Sequence, residues 1–597
     1  MTTTAPASAQ QVERRRKGGE VTWACAPGFP PAVIFPFTPA ERMGMRNILE
    51  FQALMYRTLY FFGTDGTPEV DYANSIGEPP EWSEDGLTVT VRVRPWQWSN
   101  GETLCADNVL FWVNLMKVKG ARYGEYVPGY FPDNLTSYGK LDEQTVYFTF
   151  DKVYSHRWVL MNQLSTITPL PRSWDRTVDG PANASGDLAD VEAVYAFLMA
   201  EQGDIVDERN EHRTRWADSP IWSTVSGPWR LRGYTLDGVV TFVPNEHYSG
   251  PNKPQLDVFR QIQFTSDEQE YQLLRDKPDA IAVGYLPLSF ATGRTSDPTK
   301  GGMNPLAAHH KLVPQVAYCI RYTSLNFNNP GVPGKMFAQT YLRQALQHSL
   351  DQDSAVRDIY QGYAYRQNGP IPVLPATDLI SPRQREGAWP LPFDVDRARQ
   401  LLTENGWDTS TTPAICVDPR KAGEGIPAGT RLSLLLRYAE GRPALTRLMT
   451  QYQQDAAKAG IELRLEEVYG SVLVAEDAPC YPTDETPCRW EMCCWNGGWV
   501  YHHPTGEILF KTDAGGNFGH YHDPAADALI EQTVTSDDPE ALHAYQDFIA
   551  EQAPVVFNPN FPIRLFEVAN NLRGFEPINP FGMISPENWY YVDEPTE

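Results

Sequence analysis

Residues 432–468 open with Leu432-Ser-Leu-Leu-Leu-Arg-Tyr438, continue through Leu445 to Ala459, and close with Ile461 to Val468. The outer runs are short and apolar. The middle one carries Leu445, Leu448, Met449 and Tyr452 at helical spacing. A strand, a helix and a strand in that order build a right-handed crossover and hence a parallel sheet. Working outward, Tyr322 to Phe327 reads as a strand, and Tyr341 to Leu350 and Asp394 to Asn405 as helices, the second ended by Gly406. Glu20 to Ala26 reads as a strand running into Pro27-Gly-Phe-Pro-Pro, and Ile48 to Phe61 as a helix. Leu87 to Arg94 alternates with period two, and Asn108 to Val118 is helical with Asp107 as its expected N-cap. Thr145 to Phe150 is another strand and Leu188 to Gln202 another helix, and Asp237-Gly238 marks a hairpin. Strands alternate with helices in both halves, so the fold class is α/β with at least two lobes, and the composition shift near 310–320 marks a lobe boundary.

The length, 597 residues, exceeds what one core organises, since domains run about 100–200 residues. Seventy-five acidic against 50 basic residues give a formal charge of −25, which excludes a general nucleic-acid binder. The 16 tryptophans and 29 tyrosines are expected mostly in the core. No run approaches the roughly 20 apolar residues of a membrane span. Residues 1–18 read as a polar tether with the basic run Arg14-Arg-Arg-Lys17. Such a start fits either a cytoplasmic chain or one whose signal peptide has been removed.

The sequence carries few motifs of chemistry. A phosphate-binding Gly-rich loop, a dinucleotide fingerprint and a Gly-x-Ser-x-Gly elbow are all missing, so an enzyme, for instance a secreted hydrolase, is a remote alternative. Histidines pair at His309-His310, His502-His503 and His520/His522. Adjacent strand residues face opposite ways, so surface or turn positions are expected rather than a metal site. Cys480 and Cys488 flank a Pro-rich loop, and without paired Cys-x2-Cys spacing a disulfide between them is favoured over zinc. No cofactor is expected. The most unusual composition is Trp495-Asn-Gly-Gly-Trp-Val-Tyr-His-His-Pro504. Glycines there would let backbone approach a ligand and aromatic faces would clamp it; a core turn is the competing reading.

Several segments together carry a family resemblance. They are Ser83 to Pro95 with Trp98 to Val109, Ser226 to Trp229 with Val243 to Gly250, Arg343 to Asp351, Arg397 to Trp407, and Tyr521 to Ile530. In this order they resemble the solute-binding proteins of peptide-type ABC importers, the dipeptide/oligopeptide-binding family (family 5). The Trp222–Trp229 and Trp495–Glu507 blocks look most like its actinobacterial members. The resemblance implies a bilobal periplasmic-binding-protein-like fold (class II, large type) that closes like a hinge. It divides the chain into a tether (1–18), lobe I (19–55, 171–318 and 557–597) with an inserted subdomain (56–170), and lobe II (319–556). The hinge would run through Val313–Tyr322 and Ala553–Arg564.

The implied function is capture of a small solute, a peptide first, and its delivery to ABC permease subunits by a non-enzymatic monomer tethered outside the membrane as a lipoprotein. The lipobox cysteine would precede the sequence given. Relatives often place an Asp after the Gly-Trp pair for a peptide's amino group; here Val500-Tyr-His-His503 follows, with no acid before Glu507. Trp495, Trp499 and Tyr501 would suit an oligosaccharide, and nickel-chelate binders share the family, so both are alternative ligands. The expected ligand contacts are Phe29, Asn326, Trp495, Asn496, Gly498, Trp499 and Tyr501, with Arg366 a candidate for a ligand carboxylate.

Overall fold

The computed structural model describes residues 14–28, 30–39, 42–204, 211–477, 488–495, 498–500, 502–561 and 564–593. The opening stretch folds as its pattern dictates. Ser433–Ala439 and Glu462–Val468 pair in parallel, Ser433 opposite Glu462 through Ala439 opposite Val468, joined by the helix Pro443–Ala459. Pro443 opens that helix, and Gly460, at φ +96°, closes it in a left-handed turn that a Cβ would strain.

Two large mixed sheets organise the chain. The first runs His310–Pro314, Leu565–Ala569, Val283–Tyr285, Glu20–Cys25, Val258–Gln263, Val240–Pro244 and Trp229–Tyr234. Its centre is parallel, with Glu20–Cys25 flanked by Val258–Gln263 and Val283–Tyr285. The second runs Glu462–Val468, Ser433–Ala439, Met492–Cys494, Cys319–Leu325 and Gly498–Val500, and Val555–Phe557 also pairs Cys319–Leu325. A separate four-stranded meander, Glu81–Trp82, Thr88–Arg92, Thr145–Phe150 and Leu135–Asp142, packs under the helix Ala106–Lys119.

Local readings differ in two places. The Ala106–Lys119 helix is capped by Cys105, not Asp107: the Asn108 side chain accepts from the Cys105 N–H at 2.7 Å, a reciprocal cap two residues earlier. The expected Ile48–Phe61 helix stops at Met55 after a π-helical turn, Ile48–Gln52, because Tyr56 turns extended. The next N–H, of Arg57, donates to Ser226 Oγ.

The chain passes between the two large sheets twice, and the passages are bound side by side. Before the first, His310–Pro314 pairs antiparallel with Leu565–Ala569; after it, Cys319–Leu325 pairs antiparallel with Val555–Phe557. Between them Gln315 N–H donates to Arg564 C=O at 2.8 Å and Asn558 N–H to Arg321 C=O at 2.9 Å. The Asn560 amide adds a bond to Cys319 C=O. Asn560 and Tyr365 also exchange both backbone bonds, at 2.7 and 2.9 Å.

The cores follow the sheets. Twelve of the 16 tryptophans are buried, leaving Trp82, Trp389, Trp495 and Trp499 half-exposed. The aromatic excess is therefore core. Beneath the first sheet lie two buried carboxyls, Glu270 and Glu567. Burial raises their pKa values to about 9 and about 8. Glu270 accepts from Tyr285 N–H at 2.9 Å and Glu567 from Asn304 Nδ2 at 2.8 Å.

Both carboxyls are protonated in the folded chain at neutral pH and ionised in the unfolded one. Their stability contribution is complete below the unfolded pKa near 4.5 and is lost as pH rises through about 8 to 9. Glu567→Gln, an isostere of the neutral acid, is expected to stabilise by roughly 1–3 kcal/mol at pH 7.5 and by much less at pH 5. Urea unfolding at the two pH values checks this; an equal effect at both would refute it.

Candidate functional site

In an α/β sheet the carboxyl ends of parallel strands, where loops leave, are where ligands are received. Here the carboxyl ends of the two sheets face one another. Glu20–Cys25 runs out into Pro27-Gly28, and Ser433–Ala439 runs out into Glu440-Gly441-Arg442. Arg442 spans the seam, its Nη2 donating to Pro27 C=O at 3.3 Å. Opposite it on the first sheet, Tyr285 Oη donates to Asp267 Oδ1 at 2.8 Å. Burial raises the Asp267 pKa, and that hydrogen bond and the Arg442 charge pull it back. Burial likewise depresses Arg442, against the attraction of Asp267.

Behind this pair lies a charged triad. Glu50, 1 % exposed, takes Arg564 Nη1 at 2.7 Å and Arg46 Nε at 3.4 Å. Arg46 also reaches Gln263 Oε1 at 3.0 Å, which fixes the triad at the end of the parallel strands. On the second sheet Arg321 lies 3.7 Å over the Phe561 ring. Arg321 pairs with Gly498, and its neighbour Ile320 with Trp499. Two small cavities open here, about 20 Å³ beside Tyr322, Phe518 and Tyr521 and about 10 Å³ beside Arg321, Cys494 and Phe561, each with room for little more than water.

A second seam joins residues 502–537 to the subdomain containing the meander. Asn162 donates to His503 C=O (2.9 Å) and Glu507 Oε1 (2.8 Å) and accepts from His503 N–H, while Trp158 Nε1 also donates to Glu507 at 2.8 Å. His502 stacks on Phe62, ring centroids 4.3 Å apart. Burial depresses His502 and His503 to about 4 and about 3, so both are neutral packing groups at pH 7. Of the other paired histidines, His310 meets Ile281 C=O at 3.1 Å and His522 meets Thr512 Oγ1 at 2.9 Å. Among the described residues Cys105, Asp107 and Glu143 have ligand atoms within 4.8 Å of one another, but the Lys140 ammonium already binds both carboxylates.

With that geometry in view, the profile of the bacterial extracellular solute-binding proteins, family 5 (middle region), matches residues 71–512. The chain belongs to that family. As a family 5 solute-binding protein it is a transport component and not an enzyme. It is similar to the oligopeptide-binding protein AppA of Bacillus subtilis, 23% identical over 555 residues, which cover 89% of this chain and 86% of AppA. The solved AppA structure, in complex with a nonapeptide, superposes with a TM-score of 0.70 at 19% identity over 97% of this chain and 100% of that one. Protein XP55 of Streptomyces lividans is 26% identical over 342 residues, 56% of this chain and 54% of its own length. The Campylobacter jejuni NikZ structure, in complex with Ni(L-His), has a TM-score of 0.63 at 16% identity over 96% of this chain and 99% of that one. The bilobal α/β fold of this family is the fold of the chain.

The residues expected at the ligand lie as follows. Phe29, Asn496, Tyr501 and Cys480 lie outside the described residues. Cys488 is disulfide-bonded. Asn326 is fully buried, and its amide bonds Trp490 C=O at 2.8 Å and Asn328 N–H at 3.0 Å, so its polar atoms hold a strand end to a loop. Arg366, 41 % exposed, pairs with Asp353 at 3.3 Å. Trp495 packs edge-on to Tyr322 and Phe518, ring centroids 6.2 and 5.4 Å apart. Trp499 stays half-exposed beside Ile320. At Gly498 the close backbone neighbour belongs to the protein itself: a Cβ would stand 1.9 Å from Ile320 C=O.

Sequence reading missed Arg442, Asp267 and the Arg46–Glu50–Arg564 triad. The strand-to-helix turn Glu440-Gly-Arg-Pro443 was a usable signal, since that is where such sheets present side chains. Arg46 and Glu50 of the triad are four residues apart, a spacing that pairs side chains on a helix, but Arg564 lies 518 positions from Arg46 and has no local signal. Gly498→Ala should cost at least about 2–4 kcal/mol by prising the Gly498–Val500 strand off Cys319–Leu325. A guanidinium melt within 0.5 kcal/mol of wild type would overturn the strand-contact reading.

Proposed function

We propose that the chain captures a peptide between two lobes and hands it to the permease of an ABC importer. Lobe I would comprise 19–55, 171–318 and 557–597 with the subdomain 56–170, and lobe II 319–556; the two passages between the sheets would flex as the hinge. The observation that carries this reading is Arg442 reaching across to Pro27 C=O, a contact that exists only when the strand ends of both sheets meet. A peptide brings backbone amides, an amine and a carboxylate to such a seam. The Pro27 carbonyl, Asp267 and Arg442 are complementary to those groups. Likeness to AppA over nearly the whole of both chains supports the peptide over a nickel chelate, and His502 and His503, the pair nearest the Trp495–Tyr501 block, are packed neutral.

Trp495, Trp499 and Tyr501 would line the seam, with Phe29 on the opposite loop. Tethering outside the membrane through the residues ahead of Arg15, an actinobacterial kinship suggested by XP55, a monomeric state and a Cys480–Cys488 bridge complete the proposal; the tether is shorter than the 1–18 expected, because Arg15–Arg16 pairs with Tyr591–Val592 and Gly18 N–H donates to Gln255 C=O. A thermal-shift panel of di- to nonapeptides, cello- and xylo-oligosaccharides and nickel–histidine tests the ligand class. A peptide at 100 times its Kd should stabilise by about 2.7 kcal/mol. A shift with sugars or nickel–histidine and none with peptides would reject it. Trp499→Ala is expected to weaken peptide binding while leaving the unliganded melting temperature within about 2 °C; a large drop in melting temperature with affinity intact would make Trp499 a packing residue.

A further inference from the structure

The chain carries a net charge of −25, yet the charges that gather at the seam are mostly positive. Four arginines meet around the second passage: Arg564 on it, Arg46 joined to it through Glu50, Arg442 across the seam, and Arg321 on the adjoining strand. Arg564 and Arg321 are near enough to Arg442 to depress its pKa further, beyond the effect of burial. Among the described residues the acids facing them are fewer. Glu50 is shared by two guanidiniums, and Asp267, held by Tyr285, also feels the charge of Glu268 beside it. Glu270, close to Asp267 and Arg564, and Glu567 near it are neutral at pH 7. Four cations thus stand against three anions.

Two further observations point the same way. Arg46 is 9 % exposed and its Nη2 has no hydrogen-bond acceptor among the described residues. A buried donor of that kind gains from an anion brought to it. The helix Pro443–Ala459 also begins at Arg442 without a side-chain cap, so its free N–H groups add positive potential at the same place. Like charges held together out of water repel, and an incoming carboxylate relieves that repulsion while an ammonium deepens it.

We infer that the seam selects ligands of net negative charge, which in the peptide reading, on which this rests, means peptides bearing acidic side chains. Arg442 and Arg564 would take the acidic group, and Arg442, the one on the moving side of the seam, would make closure depend on it.

An equimolar mixture of three nonapeptides that differ only in a central Glu, Gln or Lys tests this on the full chain by native mass spectrometry, with titration calorimetry for each. The expected order is Glu over Gln over Lys, with at least a ten-fold gap between Glu and Lys that narrows from 50 to 500 mM salt. Arg442→Gln should bring the gap below three-fold, and Arg442→Lys should restore part of it. Equal affinities, or Lys tightest, would overturn the charge selectivity while leaving peptide capture standing. No binding of any of the three would remove peptide capture and the acidic preference with it. A ten-fold gap that survives in a folded Arg442→Gln would overturn the assignment to the seam.

Discussion

Two stretches of backbone join the sheets, and what the molecule can do follows from how they are bound to each other. Each passage is short, and each is paired to the other on both sides of the gap and by further bonds from Gln315, Asn558 and Asn560. The bonds that tie them are mostly backbone to backbone, so the constraint depends little on side-chain identity. It also fixes where the strand ends of the two sheets meet, and so where Arg442 finds Pro27.

That placement explains the uneven distribution of polarity. Charges within the seam are only partly screened by water, so each is set by its neighbours. Glu50 between two guanidiniums and Asp267 between Tyr285 and Arg442 are held by opposite charge and hydrogen bonds. Glu270 and Glu567, one layer deeper, form no ion pair among the described residues, and burial leaves them protonated. The same residue type thus serves two purposes within one cluster, according to whether a guanidinium reaches it.

Local pattern made the elements legible. The period of Thr145–Phe150, the hairpin at Gly238 and the strand–helix–strand unit at 433–468 each depend on neighbours within a few residues. The Cys105 cap and the π-helical turn at Ile48–Gln52 were not, because each is set by a competing hydrogen bond rather than by hydrophobic spacing. The unusual composition at 495–504 did not distinguish roles within that stretch. Gly498 answers to the Ile320 carbonyl, and His502 and His503 answer to Phe62 and Asn162. Asn326 looked like a polar group at a strand end awaiting a ligand, and it is consumed by backbone of residues 488–490 instead. Charge convergence was illegible for a plain reason: Arg46, Asp267, Arg442 and Arg564 come from distant parts of the chain, and only the paired passages bring them together.

The burial of twelve tryptophans has an optical consequence. Most indoles sit in environments that a solute arriving at the seam would leave untouched, so their emission forms a constant background. Of the four others, Trp82 lies flat on His156, ring centroids 3.8 Å apart, and Trp389 lies beneath Arg366. Trp495 and Trp499 border the strand that lines the seam. If a solute is held at the seam as proposed, a change in intrinsic fluorescence would originate from the few indoles near it, Trp495, Trp499 and Trp23 beneath Arg564, giving this large protein a built-in, label-free reporter of occupancy.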